Sequence, residues 1–213
     1  MDRVTSETVA AGLMVHSLRR SENVVPHTFS VDREARARLM AQRPRVVWLT
    51  GLPGSGKSTL ADGLERYLHG MGIHTYVLDG DSVRRGFNRD LGFTPEDRAE
   101  NVRRVGEAAH MLFDAGLVVI VALVSPFRAD RLAARELFDK GDFLEVWVDT
   151  PLDICRARDP KGLYAKATIG DLPNMTGVGQ DYEPPDHPDL VVDGTVPVDE
   201  LVGRLLELLQ ASD

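Results

Sequence analysis

Cysteine is almost absent from this sequence, in which Cys155 carries the single thiol among 213 residues. One thiol excludes an internal disulfide framework and fits the reducing cytoplasm. The six histidines lack the spacing of metal ligands, which argues against a structural zinc site. No stretch approaches the roughly 18 apolar residues of a membrane span, and an N-terminus with Asp2 and Glu7 is unlike a signal peptide. We therefore expect a cytoplasmic protein without a membrane partner.

The sequence also lacks an excess of positive charge. Its formal net charge of −8 argues against general binding of nucleic acid. Residues 1–45 hold eight arginines and five acidic residues, a net charge of +3 that leaves −11 for the remainder. An anionic substrate must therefore be held by cations that are placed locally within an acidic protein.

Apolar strands and amphipathic helices alternate from Arg45 onward. This alternation predicts an α/β fold, a parallel sheet with helices on both faces, and the GxxxxGK[ST] motif described next makes it of the P-loop NTPase type. Residues 159–188 are polar, rich in Gly and Pro and without period, which predicts a lid segment. We assign residues 1–44 to an N-terminal extension or linker and 45–213 to the main domain. The predicted strands are Arg45–Thr50, Thr75–Asp79, Leu117–Val124, Phe143–Asp149 and Leu190–Val192. Four predicted helices run from Lys57 to about Met71, from Pro95 to about Ala115, over Ala129–Phe138 and over Val198–Leu209. A fifth is predicted to begin at a cap formed by Thr150-Pro151.

A phosphate-binding loop lies between the first strand and the first helix of this domain. Its sequence fits GxxxxGK[ST] without a gap and has the flanking strand and helix that the motif requires. The predicted ATP-binding residues of the loop are Gly51, Leu52, Pro53, Gly54, Ser55, Gly56, Lys57, Ser58 and Thr59. Lys57 can bridge the β- and γ-phosphates, and the Ser58 hydroxyl can ligate Mg²⁺. ATP with Mg²⁺ is therefore the expected nucleotide.

The loop alone does not identify the reaction, because GTPases, motors and small-molecule kinases all carry one. The sequence has no NKxD-type guanine motif, and the strand that ends near Val124 is not followed by the acid of a Walker B motif. These absences favour a small-molecule kinase, with the lid segment excluding water from the transferred phosphoryl group.

Charged and amide side chains follow the second strand. Asp81 lies just beyond its carboxyl end, where it could accept a proton or hold Mg²⁺, although both Asp79 and Asp81 could simply cap the next helix. Arg98 and Asn101 are three residues apart on one helix face. By spacing alone, a solvated helix surface is the favoured interpretation of that pair.

Six blocks, in order, resemble the adenylyl-sulfate kinase family over about residues 23–209. They are Gly51–Thr59, Asp79–Arg84, Asp90–Phe93, Asp97–Arg104, Val124–Arg128 and Arg158–Tyr164. Six ordered blocks are far more specific than a lone P-loop. The resemblance implies transfer of the ATP γ-phosphate to the 3′-hydroxyl of adenylyl sulfate.

Residue roles follow from the resemblance. It implies catalytic roles for Lys57, Asp81 and Ser125, and metal contacts for Ser58 and Asp81. Arg158 and Val196 join the predicted ATP site. The predicted adenylyl-sulfate ligands are Asp81, Arg84, Phe93, Arg98, Asn101, Val124, Ser125, Lys161, Met175 and Thr176. Some family members are described as phosphorylating the position of Ser125, but direct in-line transfer is favoured because the sequence identifies no general base for that serine.

The lid segment departs from the family pattern. Ala165 and Thr168 stand where a lysine and an arginine are common, Met175 replaces a phenylalanine, and Gly179 replaces an aspartate. Pro53 and Ser82 are milder departures in loops. We expect activity with altered acceptor affinity, because each charged hydrogen bond contributes roughly 1.5–3 kcal/mol.

Residues 2–22 resemble the end of the GTPase-type subunit of sulfate adenylyltransferase, which suggests an association with that enzyme; a docking or disordered extension is the alternative. Family members are commonly dimers, so a homodimer is expected. Two other functions stay open at this point: another P-loop small-molecule kinase, and a nucleotide-binding regulatory module without catalysis. The first does not account for Phe93, Arg98 and Asn101 together.

Overall fold

The computed structural model describes residue 27 and residues 29–172 and 174–211. It divides into two units, residues 1–30 and Val31–Asp213. The predictions made for residues 2–22 lie outside the described residues. The larger unit contains the elements α1 Arg33–Met40, β1 Arg45–Thr50, α2 Lys57–Gly70, β2 Thr75–Asp79, α3 Gly80–Arg85, α4 Pro95–Asp114, β3 Val118–Ala122, α5 Arg128–Arg135, β4 Phe143–Asp149, α6 Leu152–Arg158, α7 Leu163–Thr168, β5 Leu190–Asp193 and α8 Val198–Ala211.

The five strands form one parallel sheet in the order β2-β3-β1-β4-β5. Strand β1 is central and buried along its whole length, as its continuous apolar sequence predicts. Its alternate residues enter two cores. Val47 packs with α2 and α8, whereas Trp48 packs with α4 and α5. The predicted parallel sheet with helices on both faces is confirmed.

Helix α4 is the longest described element and carries the acceptor-side candidates Arg98 and Asn101. The Thr94 hydroxyl accepts a hydrogen bond from the Asp97 amide at 3.1 Å, and Pro95 occupies the first turn. These are the expected signals of a helix start. The buried face of α4 fixes its rotation and turns Arg98 and Asn101 inward, away from solvent. The interpretation as a solvated helix surface, which spacing alone favoured, is therefore wrong.

Several boundaries and contacts differ from the sequence predictions. Strand β3 is shorter at both ends than predicted, and the lid segment contains α7, which its lack of period did not reveal. Residues 31–44 belong to the larger unit, in which the Arg36 guanidinium donates to Asp114 Oδ2 at 2.8 Å. The Thr150 hydroxyl does not cap α6, because it donates elsewhere. No helix in the described ranges is long and apolar enough to cross a membrane.

Candidate active site

A cavity of about 1070 Å³ lies at the carboxyl ends of the strands, where ligands bind in open α/β sheets. Most of its lining comes from the P-loop, the turn after β2 with α3 and α4, the end of β3, the lid segment and the turn after β5. Most predicted site residues are among the lining residues; Gly51, Leu52 and Thr176 are not. Thr176 is fully buried, and its hydroxyl has no hydrogen-bond partner in the described part of the chain.

Lys57 is almost completely buried and folds back over its own loop. Its ammonium donates to the Gly51 carbonyl at 2.9 Å, to the Leu52 carbonyl at 2.7 Å and to Ser55 Oγ at 3.2 Å. Burial lowers the pKa of Lys57 to about 7, against the weaker opposing effect of Cys155. The residue that would meet the ATP phosphates is thus held by neutral oxygens, so an anionic phosphate would favour its charged form.

Two residues outside the motif hold the P-loop backbone through hydrogen bonds to its carbonyl groups. The Thr150 hydroxyl donates to the Ser55 carbonyl at 2.8 Å, and the Tyr164 hydroxyl donates to the Pro53 carbonyl at 2.9 Å. At Gly194 an added Cβ would lie 2.1 Å from Thr150 Oγ1 and 2.3 Å from the Ser55 carbonyl oxygen. Glycine is therefore required there for close approach of two backbones. Sequence reasoning missed Thr150 and Gly194, for which no local motif was available.

Two aspartates at the end of β2 have different partners. Asp79 caps α3 by accepting from the Asp81 amide at 3.0 Å, and its other oxygen accepts from Ser58 Oγ at 2.8 Å. The Asp81 carboxylate instead accepts a hydrogen bond from the Lys161 ammonium of the lid segment. The carboxylate that contacts the predicted metal ligand Ser58 is therefore that of Asp79, for which the sequence suggested only a possible role as a helix cap.

Three of the predicted acceptor ligands form a cationic and aromatic group. The guanidinium carbons of Arg84 and Arg98 lie 4.5 Å and 5.4 Å from the centre of the Phe93 ring. Arg98 donates to the Phe93 carbonyl at 3.2 Å and to the Asn174 carbonyl of the lid segment at 2.8 Å. Burial, with a smaller contribution from Arg84, lowers the pKa of Arg98 to about 10. The group offers both an aromatic face and donors for an anion.

Asn101 and Ser125 complete that side of the cavity. Asn101 Oδ1 accepts from Asn88 Nδ2 at 3.0 Å, which orients the amide. The Ser125 hydroxyl accepts from Trp48 Nε1 at 3.1 Å and donates to Thr50 Oγ1 at 3.0 Å. Neither partner of the Ser125 hydroxyl is a base, which agrees with in-line transfer that bypasses this serine.

The residues predicted to bind ATP outside the P-loop lie at the end of α6 and in the turn after β5. Arg158 donates to the Gly194 carbonyl at 2.9 Å, and Val196 lines the cavity beside it. Asn174 and Lys166, which sequence reasoning also missed, line the cavity from the lid segment. Met175 is 5% exposed and packs with Tyr164 and Cys155. Met175 thus contributes an apolar surface to the cavity.

Comparison with known proteins places this geometry in a family. The family model described as adenylylsulphate kinase matches residues 43–193. The chain belongs to the adenylylsulphate kinase family. An adenylyl-sulfate kinase of Erwinia tasmaniensis is 53% identical over 92% of this chain and 97% of its own length. The bifunctional enzyme NodQ of Rhizobium meliloti is 57% identical over 89% of this chain, but the chain spans only 30% of that relative.

A solved adenylylsulphate kinase shares the fold. The APS kinase CysC of Mycobacterium tuberculosis, determined in complex with AMPPNP and APS, superposes with a TM-score of 0.76 at 48% identity. The match covers 79% of this chain and 98% of that one. The predicted family and fold are therefore confirmed.

Proposed function

We propose that this chain transfers the γ-phosphoryl group of ATP to the 3′-hydroxyl of adenylyl sulfate, giving 3′-phosphoadenylyl sulfate and ADP. The observation that supports it most is the meeting, in one cavity, of the P-loop Lys57 with the Arg84–Phe93–Arg98 group. A triphosphate fits the first, and a purine carrying a phosphosulfate fits the second. Asp81 lines the same cavity as Lys57 and the Arg84–Phe93–Arg98 group. The 53% identity to an adenylyl-sulfate kinase over nearly its whole length supports the same assignment.

The reaction would need little covalent chemistry from the protein. Asp81 would accept the proton of the acceptor hydroxyl as that oxygen attacks the γ-phosphorus, and ADP would leave on the opposite side. Lys57 would neutralise charge on the transferring group. Before acting as a base, Asp81 must exchange Lys161 for the acceptor. Lys161 would then be free to meet an anionic group of either substrate.

Magnesium fits the oxygen donors at the end of β2. Ser58 Oγ and an Asp79 carboxylate oxygen are already 2.8 Å apart, and hard oxygen ligands are those that Mg²⁺ prefers. The described residues contain no group of three or more His, Cys, Asp or Glu that could hold a metal alone. We therefore propose that Mg²⁺ is held jointly by Ser58, Asp79, Asp81 and the ATP phosphates. When bound it would screen the phosphate charge.

The relatives and the sequence also suggest where the protein acts and what it associates with. We propose a cytoplasmic enzyme of sulfate activation that forms homodimers. The 30% coverage of a bifunctional relative supports association with a second enzyme, for which sulfate adenylyltransferase is the candidate that residues 2–22 suggest.

The test is ADP release in a coupled assay with Mg²⁺ and ATP and a panel of hydroxyl acceptors. We expect release that depends on adenylyl sulfate. Release with gluconate or another sugar acid, and none with adenylyl sulfate, would identify a different P-loop kinase. Tight binding of both nucleotides without release would identify a regulatory module.

A further inference from the structure

Arg131 is a buried arginine that the reaction described above does not use. It is 2% exposed and does not line the cavity. Its guanidinium makes three hydrogen bonds in three directions: Nε to Glu145 Oε1 at 2.7 Å, Nη1 to the Ser125 carbonyl at 2.7 Å and Nη2 to the Glu183 carbonyl at 2.8 Å. Such a fork is specific to arginine, because a lysine presents a single point charge.

The first feature held by Arg131 is the cavity wall Val124–Pro126, which we call the acceptor wall. It follows the end of β3, beyond the last ladder pair with β1. Ser125 has a φ of 37°, a left-handed conformation that non-glycine residues rarely adopt. A strained residue persists only where its surroundings hold it. Here the Arg131 fork holds its carbonyl, and Trp48 and Thr50 hold its hydroxyl.

The second feature is the end of the lid segment at Tyr182–Pro184. The Glu183 amide donates to the Pro126 carbonyl at 2.9 Å, while the Glu183 carbonyl accepts from Arg131. The Tyr182 hydroxyl lies 3.0 Å from Thr50 Oγ1, and the Arg131 guanidinium carbon lies 5.7 Å from the Tyr182 ring centre. Arg131 therefore joins the acceptor wall to the point where the lid segment returns to the sheet.

The donor side depends less on this arginine. Thr50, which leads into the P-loop, lies within the ladder, opposite Trp147 of β4. Ser55 is braced separately by Thr150. Loss of the fork would thus leave the P-loop in place while it released the acceptor wall and the end of the lid segment.

From this arrangement we propose that Arg131 is a positioning residue for the acceptor: it sets the acceptor wall and couples it to the lid segment without touching substrate. The proposal rests on the proposed function for the identity of the acceptor. Although Arg131 lies outside the cavity, its loss should weaken binding of the acceptor more than binding of ATP. The quantity to measure is therefore the change in acceptor affinity compared with the change in ATP affinity.

The test compares Arg131→Lys with Arg135→Lys in the full chain. Arg135 also pairs with Glu145, at 3.5 Å, and with Asp189, at 2.6 Å, but its guanidinium hydrogen bonds go to Phe143, Glu145 and Asp189 rather than to the acceptor wall. Calorimetry would give the dissociation constants of adenylyl sulfate and of a non-hydrolysable ATP analogue. For Arg131→Lys we expect acceptor binding to weaken on the order of tenfold, as misplaced binding groups do, and donor binding to stay within about twofold. For Arg135→Lys both should stay within about twofold.

The proposal would be overturned if Arg131→Lys weakened the binding of both ligands equally or changed neither dissociation constant. A second readout does not need the acceptor. In a Trp147→Phe background, Trp48 is the remaining tryptophan of the sequence, and its indole donates to Ser125. Arg131→Lys should change the Trp48 emission and near-ultraviolet dichroism, and Arg135→Lys should not. If wild-type chain fails to bind adenylyl sulfate, the proposed function fails, while the Trp48 comparison still decides whether Arg131 sets the acceptor wall.

Discussion

Lys161 and Asp81 form an ion pair between the lid segment and the end of β2. Both side chains are about half exposed, at 51% and 49%, and exposed pairs contribute little to stability. We therefore expect the pair to matter for the proposed proton transfer more than for stability. It places the proposed base beside a cation that the incoming acceptor can displace.

Substituting Asp81→Asn should abolish most turnover. The amide cannot take the acceptor proton, so we expect kcat to fall by roughly 10²–10⁴-fold, the usual contribution of general base catalysis. Steady-state kinetics would measure it. Asp62→Asn is the matched control, because Asp62 is an exposed carboxylate paired with Arg66 on the surface of α2. A kcat unchanged by Asp81→Asn would remove Asp81 from the proton transfer.

Gly194→Ala should impair ATP binding and destabilise the chain. The new Cβ would lie 2.1 Å from Thr150 Oγ1 and 2.3 Å from the Ser55 carbonyl oxygen, so the brace of the P-loop must shift. Thermal melting and nucleotide titration would measure the two effects. The control is Gly203→Ala, where no atom lies within 4 Å in the middle of α8. That substitution should stabilise by about 0.5–1 kcal/mol. Normal ATP affinity in Gly194→Ala would show that the brace is dispensable.

When ATP binds above neutral pH, we expect the protein to take up a proton at Lys57. Burial lowers the pKa of Lys57 to about 7, whereas an unfolded lysine has its usual value of 10.5. Between these values the unfolded chain binds more protons than the folded one, so the contribution of Lys57 to unfolding free energy rises with pH across that window. Bound phosphates favour the charged form. Calorimetry at pH 8 in two buffers of different ionisation enthalpy should detect an uptake that Lys57→Met lacks. Identical enthalpies in both buffers would contradict it.

The two cations missing from the lid segment should be restorable. Ala165 and Thr168 are exposed on α7, whose Lys166 lines the cavity. We expect Ala165→Lys with Thr168→Arg to lower KM for adenylyl sulfate by up to about tenfold, the effect of one charged hydrogen bond discounted for solvent. KM for ATP should change less. Leu132→Arg with Ala133→Lys adds the same two charges at exposed positions of α5 as a control. An unchanged acceptor KM would mean that these positions do not face the acceptor.

Met175→Phe tests the other lid departure. Met175 lines the cavity and packs against Tyr164 and Cys155, so an aromatic ring there would add a stacking face at some cost in local packing. We expect tighter acceptor binding together with a slightly lower melting temperature. Calorimetry and thermal melting measure both. Weaker acceptor binding would show that the methionine suits this cavity better.

The central part of the molecule was predictable because its signals are local. The apolar run of β1, the P-loop and the capped start of α4 each predict their structure from neighbouring residues, and the structure agrees. The inward orientation of Arg98 and Asn101 was not predictable from spacing, because it depends on which face of α4 meets the sheet.

The hydrogen bonds that hold the site in place were not predictable for a related reason. The contact between Thr150 and Ser55 joins residues 95 positions apart, and that between Arg131 and Glu183 joins residues 52 apart. Helix α7 was missed because a six-residue helix shows less than two full turns of period. The Ser58–Asp79 contact was missed because Asp79 and Asp81 are equally placed as caps in sequence, and only geometry distinguishes them.

The most direct test of the account is product analysis with adenylyl sulfate, Mg²⁺ and ATP labelled on its γ-phosphate. We expect label on the 3′-oxygen of the adenylyl sulfate and one ADP for each labelled product, with no stable label on Ser125. Label released as free phosphate, label retained on Ser125 as an obligatory intermediate, or label on a different hydroxyl would contradict it.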